Sequence, residues 1–182
     1  MKEHDKTVLT LLSLLLQYPE SPCPEHGQLR QIASELKFSP IQNHVHGFLD
    51  YLEHTPWEQL AQHYVATFDF SEQSTMDLTA LLCPDDRKRG QVLATLKGIY
   101  TQAGLAVDSG ELPDYLPMIL EFLSMADREA SKEVLGIVRP GMEKLWQQLI
   151  KDGSPYAGVL EACLLSTASM SCPQNAPEGG VL

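Results

Sequence analysis

Three side chains in the first third of the chain have the types and spacing of a metal site. His46, Asp50 and His54 stand four residues apart, so a helix would set two imidazoles and a carboxylate on one face. That is the donor set of a hydrolytic zinc centre. Eight residues of helix, however, separate the histidines by ~12 Å, too far for one ion, and a solvated polar face with i, i+4 pairing accounts better for the pattern. His44 and His63 stand singly. The four cysteines, Cys23, Cys83, Cys163 and Cys172, include no C-x-x-C pair, so they read as scattered thiols of a reducing compartment rather than as a zinc ribbon or a redox motif. No G-x-S-x-G, H-E-x-x-H, G-x-G-x-x-G or P-loop sequence occurs, and no cysteine has a base partner in its own segment. What remains is chemistry of recognition.

Three segments offer it. The first is Tyr64-Val65-Ala66-Thr67-Phe68-Asp69-Phe70. In the second, Pro84-Asp85-Asp86-Arg87-Lys88-Arg89-Gly90, Asp85 and Asp86 suit a helix N-terminus, whereas three cations in the first turn oppose its dipole unless carboxylates pair with them. Asp69, Asp85 and Asp86 are the expected partners for the guanidinium forks of Arg87 and Arg89. The cluster reads either as an internal clamp between helices or as a direct contact to a partner. The third segment, Asp108 to Pro117, is turn-rich and leads into a helix that Asp114 is expected to cap, with Pro117 in its first turn. It gathers Asp108, Glu111 and Asp114 beside Tyr115, with Pro113 stiffening the approach. Such an acidic, aromatic edge suits a basic amphipathic peptide.

The whole chain carries the same bias. Its 182 residues hold 13 Lys and Arg against 24 Asp and Glu, a net charge of −11. A surface this acidic repels nucleic acid and anionic membranes and favours basic partners, although solubility alone also explains it. The apolar run Val8 to Leu16 is far short of the ~20 residues of a membrane span. Glu3 and Asp5 spoil a positive leader, so the run reads as a buried first helix.

The elements that must hold these segments are helical throughout. Strand alternation is nowhere sustained, and an all-α, single-domain multi-helix bundle is expected over residues 1–171, with 172–182 as a flexible tail. Helices are expected near 5–17, 27–37, 40–54, 56–68, 75–82, 85–103, 114–126, 128–151 and 155–170. Thr55-Pro56-Trp57-Glu58 and Ser39-Pro40-Ile41-Gln42 read as capping boxes, and Ser154-Pro155 opens a further helix. Trp57, Leu60, Ala61, Tyr64 and Phe68 share a face, as do Leu116, Ile119, Leu120 and Leu123; such stripes are core. Pro140-Gly141 is expected to break or bend its helix.

Over YVATFD at 64–69, DLT at 77–79, DDRKRG at 85–90 and ELPDYLPMILEFL at 111–123, the chain resembles the respiratory nitrate reductase assembly chaperones, the NarJ family of the TorD-like superfamily. The resemblance spans roughly residues 8–150, and its order and spacing match as well as its composition. It implies a TorD-like helical bundle with no catalytic site, metal or cofactor of its own. Such a chaperone works in the cytoplasm on the apo catalytic subunit of a molybdenum reductase, including a basic, twin-arginine-like N-terminal segment. It supports molybdenum cofactor insertion before membrane docking. Cofactor-synthesis proteins are further implied partners, and both monomer and dimer fit. Carried over by position, Arg87 and Arg89 match the family's basic pair, Asp85 its preceding acid, and Glu111, Pro113 and Asp114 its acidic recognition loop. With Tyr64, Asp69 and Tyr115 these residues make the expected client-peptide site. Tyr115 stands where histidine is common, Asp77, Ala80 and Leu81 replace positions often aromatic or histidine, and Pro84 replaces a common glycine. These departures leave the client open among reductases for nitrate, dimethyl sulfoxide, trimethylamine oxide, chlorate or selenate. A generic helical adaptor and a metal-dependent hydrolase built on His46, Asp50 and His54 are the competing readings.

Overall fold

In a computed structural model, residues 3–19, 26–36, 39–83, 85–105 and 110–171 are described. Cys23, Pro84, Asp108, Ser109 and the expected tail from Cys172 onward lie outside them. The described residues form eight α-helices: α1 Glu3–Leu15, α2 His26–Glu35, α3 Pro40–His54, α4 Trp57–Phe68, α5 Asp86–Gln102, α6 Leu116–Met125, α7 Arg128–Lys151 and α8 Tyr156–Ser171. The all-α expectation is met.

Local chemistry explains several starts. Ser39 caps α3 by accepting from the Gln42 N–H at 3.3 Å. Asp85 caps α5 through the amides of Arg87 and Lys88, and Asp127 caps α7 through Ala130. Each cap satisfies backbone donors that the helix itself leaves open. The capping box expected at Thr55 does not form: Pro56 occupies the cap position and no side chain bonds there. Pro140 does not break α7, which runs unbroken from Arg128 to Lys151.

Packing follows hydrophobicity. The sequence of α8, YAGVLEACLLSTASMS, is apolar nearly all round, as expected of a helix surrounded by others. It packs against α7, α3 and α1, burying Tyr156, Val159, Leu160 and Cys163. Helix α6 lies along α1, and the Ser13 hydroxyl donates to the Pro117 carbonyl between them at 2.8 Å. Most of the apolar run from Val8 to Leu16 is core: Leu9, Leu12 and Leu16 are fully buried. No helix among the described residues is long and apolar enough to cross a membrane.

One expected helix is absent. Of residues 75–82, Asp77 is a bridge residue and 78–82 form consecutive turns, with Ala80 N–H bonded to the Asp77 carbonyl and Cys83 N–H to the Thr79 carbonyl. The segment is held by tertiary hydrogen bonds instead. Leu78 N–H donates to the Asp114 carbonyl (3.1 Å) and Leu116 N–H to the Met76 carbonyl (3.0 Å), an antiparallel bridge of Asp77 with Tyr115. Gly141 of α7 receives the other side of this turn. A Cβ at position 141 would lie 2.7 Å from the Leu78 carbonyl oxygen, so only glycine permits that approach.

Candidate functional site

The bridge brings two distant loops to the end of α4, and a recess of about 520 Å³ opens where they meet. Tyr64, Phe68 and Asp69 come from α4 and its C-cap, Thr75, Met76 and Asp77 from the turn segment, Glu111 and Tyr115 from the loop before α6, and Tyr18 from the chain after α1. Four of the residues expected from sequence, Tyr64, Asp69, Glu111 and Tyr115, therefore meet in one place.

Aromatic rings form the inner wall. The Tyr64 and Tyr115 hydroxyls share a 3.3 Å hydrogen bond, and Tyr64 also donates to the Leu16 carbonyl. Tyr18 stands edge-on to Tyr64 with centroids 5.4 Å apart, and Phe68 packs on its other side at 5.0 Å. Burial raises both phenol pKa values, so each hydroxyl stays protonated and neutral near pH ~7. Carboxylates form the rim. Asp69 and Glu111 are exposed and make no ion pair among the described residues. Asp77 is half-buried, and its carboxyl titrates above the usual aspartate range. Burial is the main cause and nearby Asp114 the second, with Arg89 opposing both. Neutral aromatic faces with carboxylates at the mouth suit a cation carried on an apolar stem.

Beneath the recess lies a clamp whose partners differ from those expected. Arg89 donates through Nη2 to Asp77 (3.3 Å) and Asp114 (3.4 Å), and through Nε to the Thr79 hydroxyl (3.2 Å). Asp69, Asp85 and Asp86 do not serve it. Asp114 does not cap α6, which begins after Tyr115 without a side-chain cap. Its side chain is wholly buried, and Oδ2 accepts from both the backbone N–H and the hydroxyl of Thr79. The other oxygen has no hydrogen-bond partner among the described residues. Asp114 thus faces inward, and its carboxylate is not at the recess mouth. Pro113 contributes through its carbonyl, which accepts from the Tyr100 hydroxyl at 2.7 Å. Arg87 is exposed on the first turn of α5 and Asp85 caps that turn; neither lines the recess.

Sequence reasoning missed Tyr18, Thr75 and Met76 as lining residues, and it did not number Phe68, of the first recognition segment, or Asp77, of the DLT stretch, among the site residues. The signal for Tyr18 is slight: an aromatic followed by proline just beyond the first helix. The metal reading fails on geometry. Arg30 holds Asp50 at 2.9 Å and Glu53 at 2.7 Å, the His54 ring bonds the Asp50 carbonyl, and no three His, Cys, Asp or Glu among the described residues converge on an ion.

The fold is an all-helical bundle that carries an acidic, aromatic recess. Its relatives make the class specific. A family profile described as "Nitrate reductase delta subunit" matches residues 37–159. The chain is 33% identical to the probable nitrate reductase molybdenum cofactor assembly chaperone NarJ of Bacillus subtilis, over 93% of this chain and 92% of that one. It is 30% identical to the corresponding Escherichia coli K12 chaperone NarJ (86% and 67% covered) and 29% identical to the probable chaperone NarW of the same strain (90% and 70%). The chain belongs to the NarJ family of nitrate reductase assembly chaperones. It is a chaperone, not an enzyme.

Proposed function

We propose that this chaperone binds the apo catalytic subunit of a respiratory nitrate reductase in the cytoplasm, including a basic N-terminal segment of that subunit. Binding keeps the subunit open for molybdenum cofactor insertion and delays membrane docking until loading is complete. The relatives named above supply the reductase and its cofactor. The observation that carries the binding mode is the recess, which the exposed carboxylates of Asp69 and Glu111 line together with the hydrogen-bonded Tyr64 and Tyr115. Aromatic and aliphatic surface provides most of the affinity, and the rim carboxylates select cations. Release follows when the loaded client refolds or buries the segment.

Isothermal calorimetry with the client's N-terminal peptide tests the reading. Asp69→Lys together with Glu111→Lys is expected to weaken binding at least about tenfold, while the equally charged double change of exposed Glu129 and Glu133 on α7 to lysine leaves it unaltered. Equal affinity for all three proteins rules the recess out as the site.

A further inference from the structure

The residue that follows Asp69 is the most exposed of the large hydrophobic side chains described: Phe70 shows 85% of its surface. Its backbone is nevertheless fixed, because the N–H groups of Asp69 and Phe70 both donate to the Val65 carbonyl, at 3.0 and 3.2 Å. The turn beyond is tied back by the Ser74 hydroxyl to the Thr67 carbonyl. The ring is therefore presented from a held helix end. A similar pairing recurs across the recess, where exposed Leu112 follows rim residue Glu111. On both loops a recess carboxylate is directly succeeded by an apolar side chain that the fold does not bury.

We infer that Phe70 is the specificity-determining anchor of the client site. It receives a large apolar side chain adjacent to the cation held by Asp69 and Glu111, and Leu112 widens that contact from the opposite loop. The inference rests on the recess being the peptide site. Charge complementarity chooses the occupant. A purely apolar partner would leave Asp69, Asp77 and Glu111 facing uncharged surface. A purely basic one would leave the ring in water, where burying an aromatic side chain is among the largest available gains. A cationic peptide with a bulky apolar neighbour satisfies both. Because Phe70 supports nothing inside the fold, it can be changed without loss of structure.

Two labelled amphipathic peptides provide the probe. Each carries an arginine pair; one has leucine beside it and the other serine. Fluorescence anisotropy with the full chain should show tighter binding of the leucine peptide. Phe70→Ser should weaken the leucine peptide by roughly tenfold and the serine peptide by less than about twofold. Phe70→Leu should retain most of the affinity, and Glu111→Lys should weaken both peptides alike. If Phe70→Ser leaves the leucine peptide unchanged, or weakens both equally while Glu111→Lys still acts, the anchor is refuted and the recess stands. If neither peptide binds the unaltered chain, the recess reading falls and the anchor with it.

Discussion

Two arginines in this protein each hold two acidic side chains, and the contrast between them shows how burial decides what such a triad does. Arg30 joins Asp50 and Glu53 across α2 and α3 at 2.9 and 2.7 Å. Arg89 joins Asp77 and Asp114 at the longer distances of 3.3 and 3.4 Å. By distance alone the first is the better pair. Yet the Asp50 side chain is 60% exposed and that of Asp114 is 0% exposed. Water competes for the first triad and screens it. In the second, only the Thr79 donors remain to Asp114 once Arg89 is removed, so the loss strands a buried carboxylate. The first triad decorates a surface; the second fixes the relative position of the two loops that make the recess.

The largest effect should come from Arg89→Ala. Losing the guanidinium leaves Asp114 with Thr79 alone, and a cost of about 3–5 kcal/mol is expected in denaturant unfolding. A loss below ~1 kcal/mol would make the buried triad equivalent to a surface pair. Next is Gly141→Ala, which drives a methyl group into the Leu78 backbone and should cost about 1–3 kcal/mol. Peptide affinity should fall with it, since residues 76–78 shift with that turn. Unchanged unfolding would show that α7 does not brace the recess.

Asp77 sharpens the comparison through pH. Its folded carboxyl titrates above the ordinary range, chiefly because of burial. The charged form is therefore disfavoured by folding, and that penalty exists above the folded pKa and fades as pH falls through it. Asp77→Asn should leave stability near neutral pH equal or higher, with the difference from wild type shrinking toward pH ~4. A destabilisation that is largest near neutrality would mean that pairing with Arg89 outweighs burial. The Arg30 triad has the opposite sign. Hydrogen bonding to Arg30 holds Asp50 below the ordinary range, so its support is present above the unfolded pKa and is lost as pH falls through the lowered folded value. Being solvent-exposed, it should yield the smallest effect of the set. Arg30→Ala should shift Tm little at neutral pH and less still in acid, and a Tm loss rivalling that of Arg89→Ala would overturn the ranking by burial.

How much of this was legible from residues alone also divides by region. Helix starts were readable where a side chain does the capping, as at Ser39 and Asp85, because the chemistry is local. At Thr55 the same letters misled, since Pro56 took the cap position. The 75–82 stretch carries helix-compatible residues, but the amide of Leu78 and the carbonyl of Met76 are claimed by residues 114 and 116. No local pattern announces a partner 35 or more positions away. The recognition loop was visible as a cluster of acids, and the structure separates their roles: Glu111 faces the recess while Asp114 anchors it from below. Tyr18 comes to the site because the chain after α1 is tied to α4, where the Tyr64 hydroxyl donates to the Leu16 carbonyl and the Trp57 indole N–H to the Pro19 carbonyl, a tertiary fact that the sequence hardly signals.

Photocrosslinking tests the central claim most directly. The full chain, co-expressed with an apo nitrate reductase catalytic subunit, would carry a photoreactive phenylalanine analogue at Tyr18 in the recess or, as the comparison position, at Asp50 beside Arg30. The account predicts that mass spectrometry finds the client's basic N-terminal segment joined to position 18 and not to position 50. Attachment of that segment at position 50, with none at position 18, would contradict it.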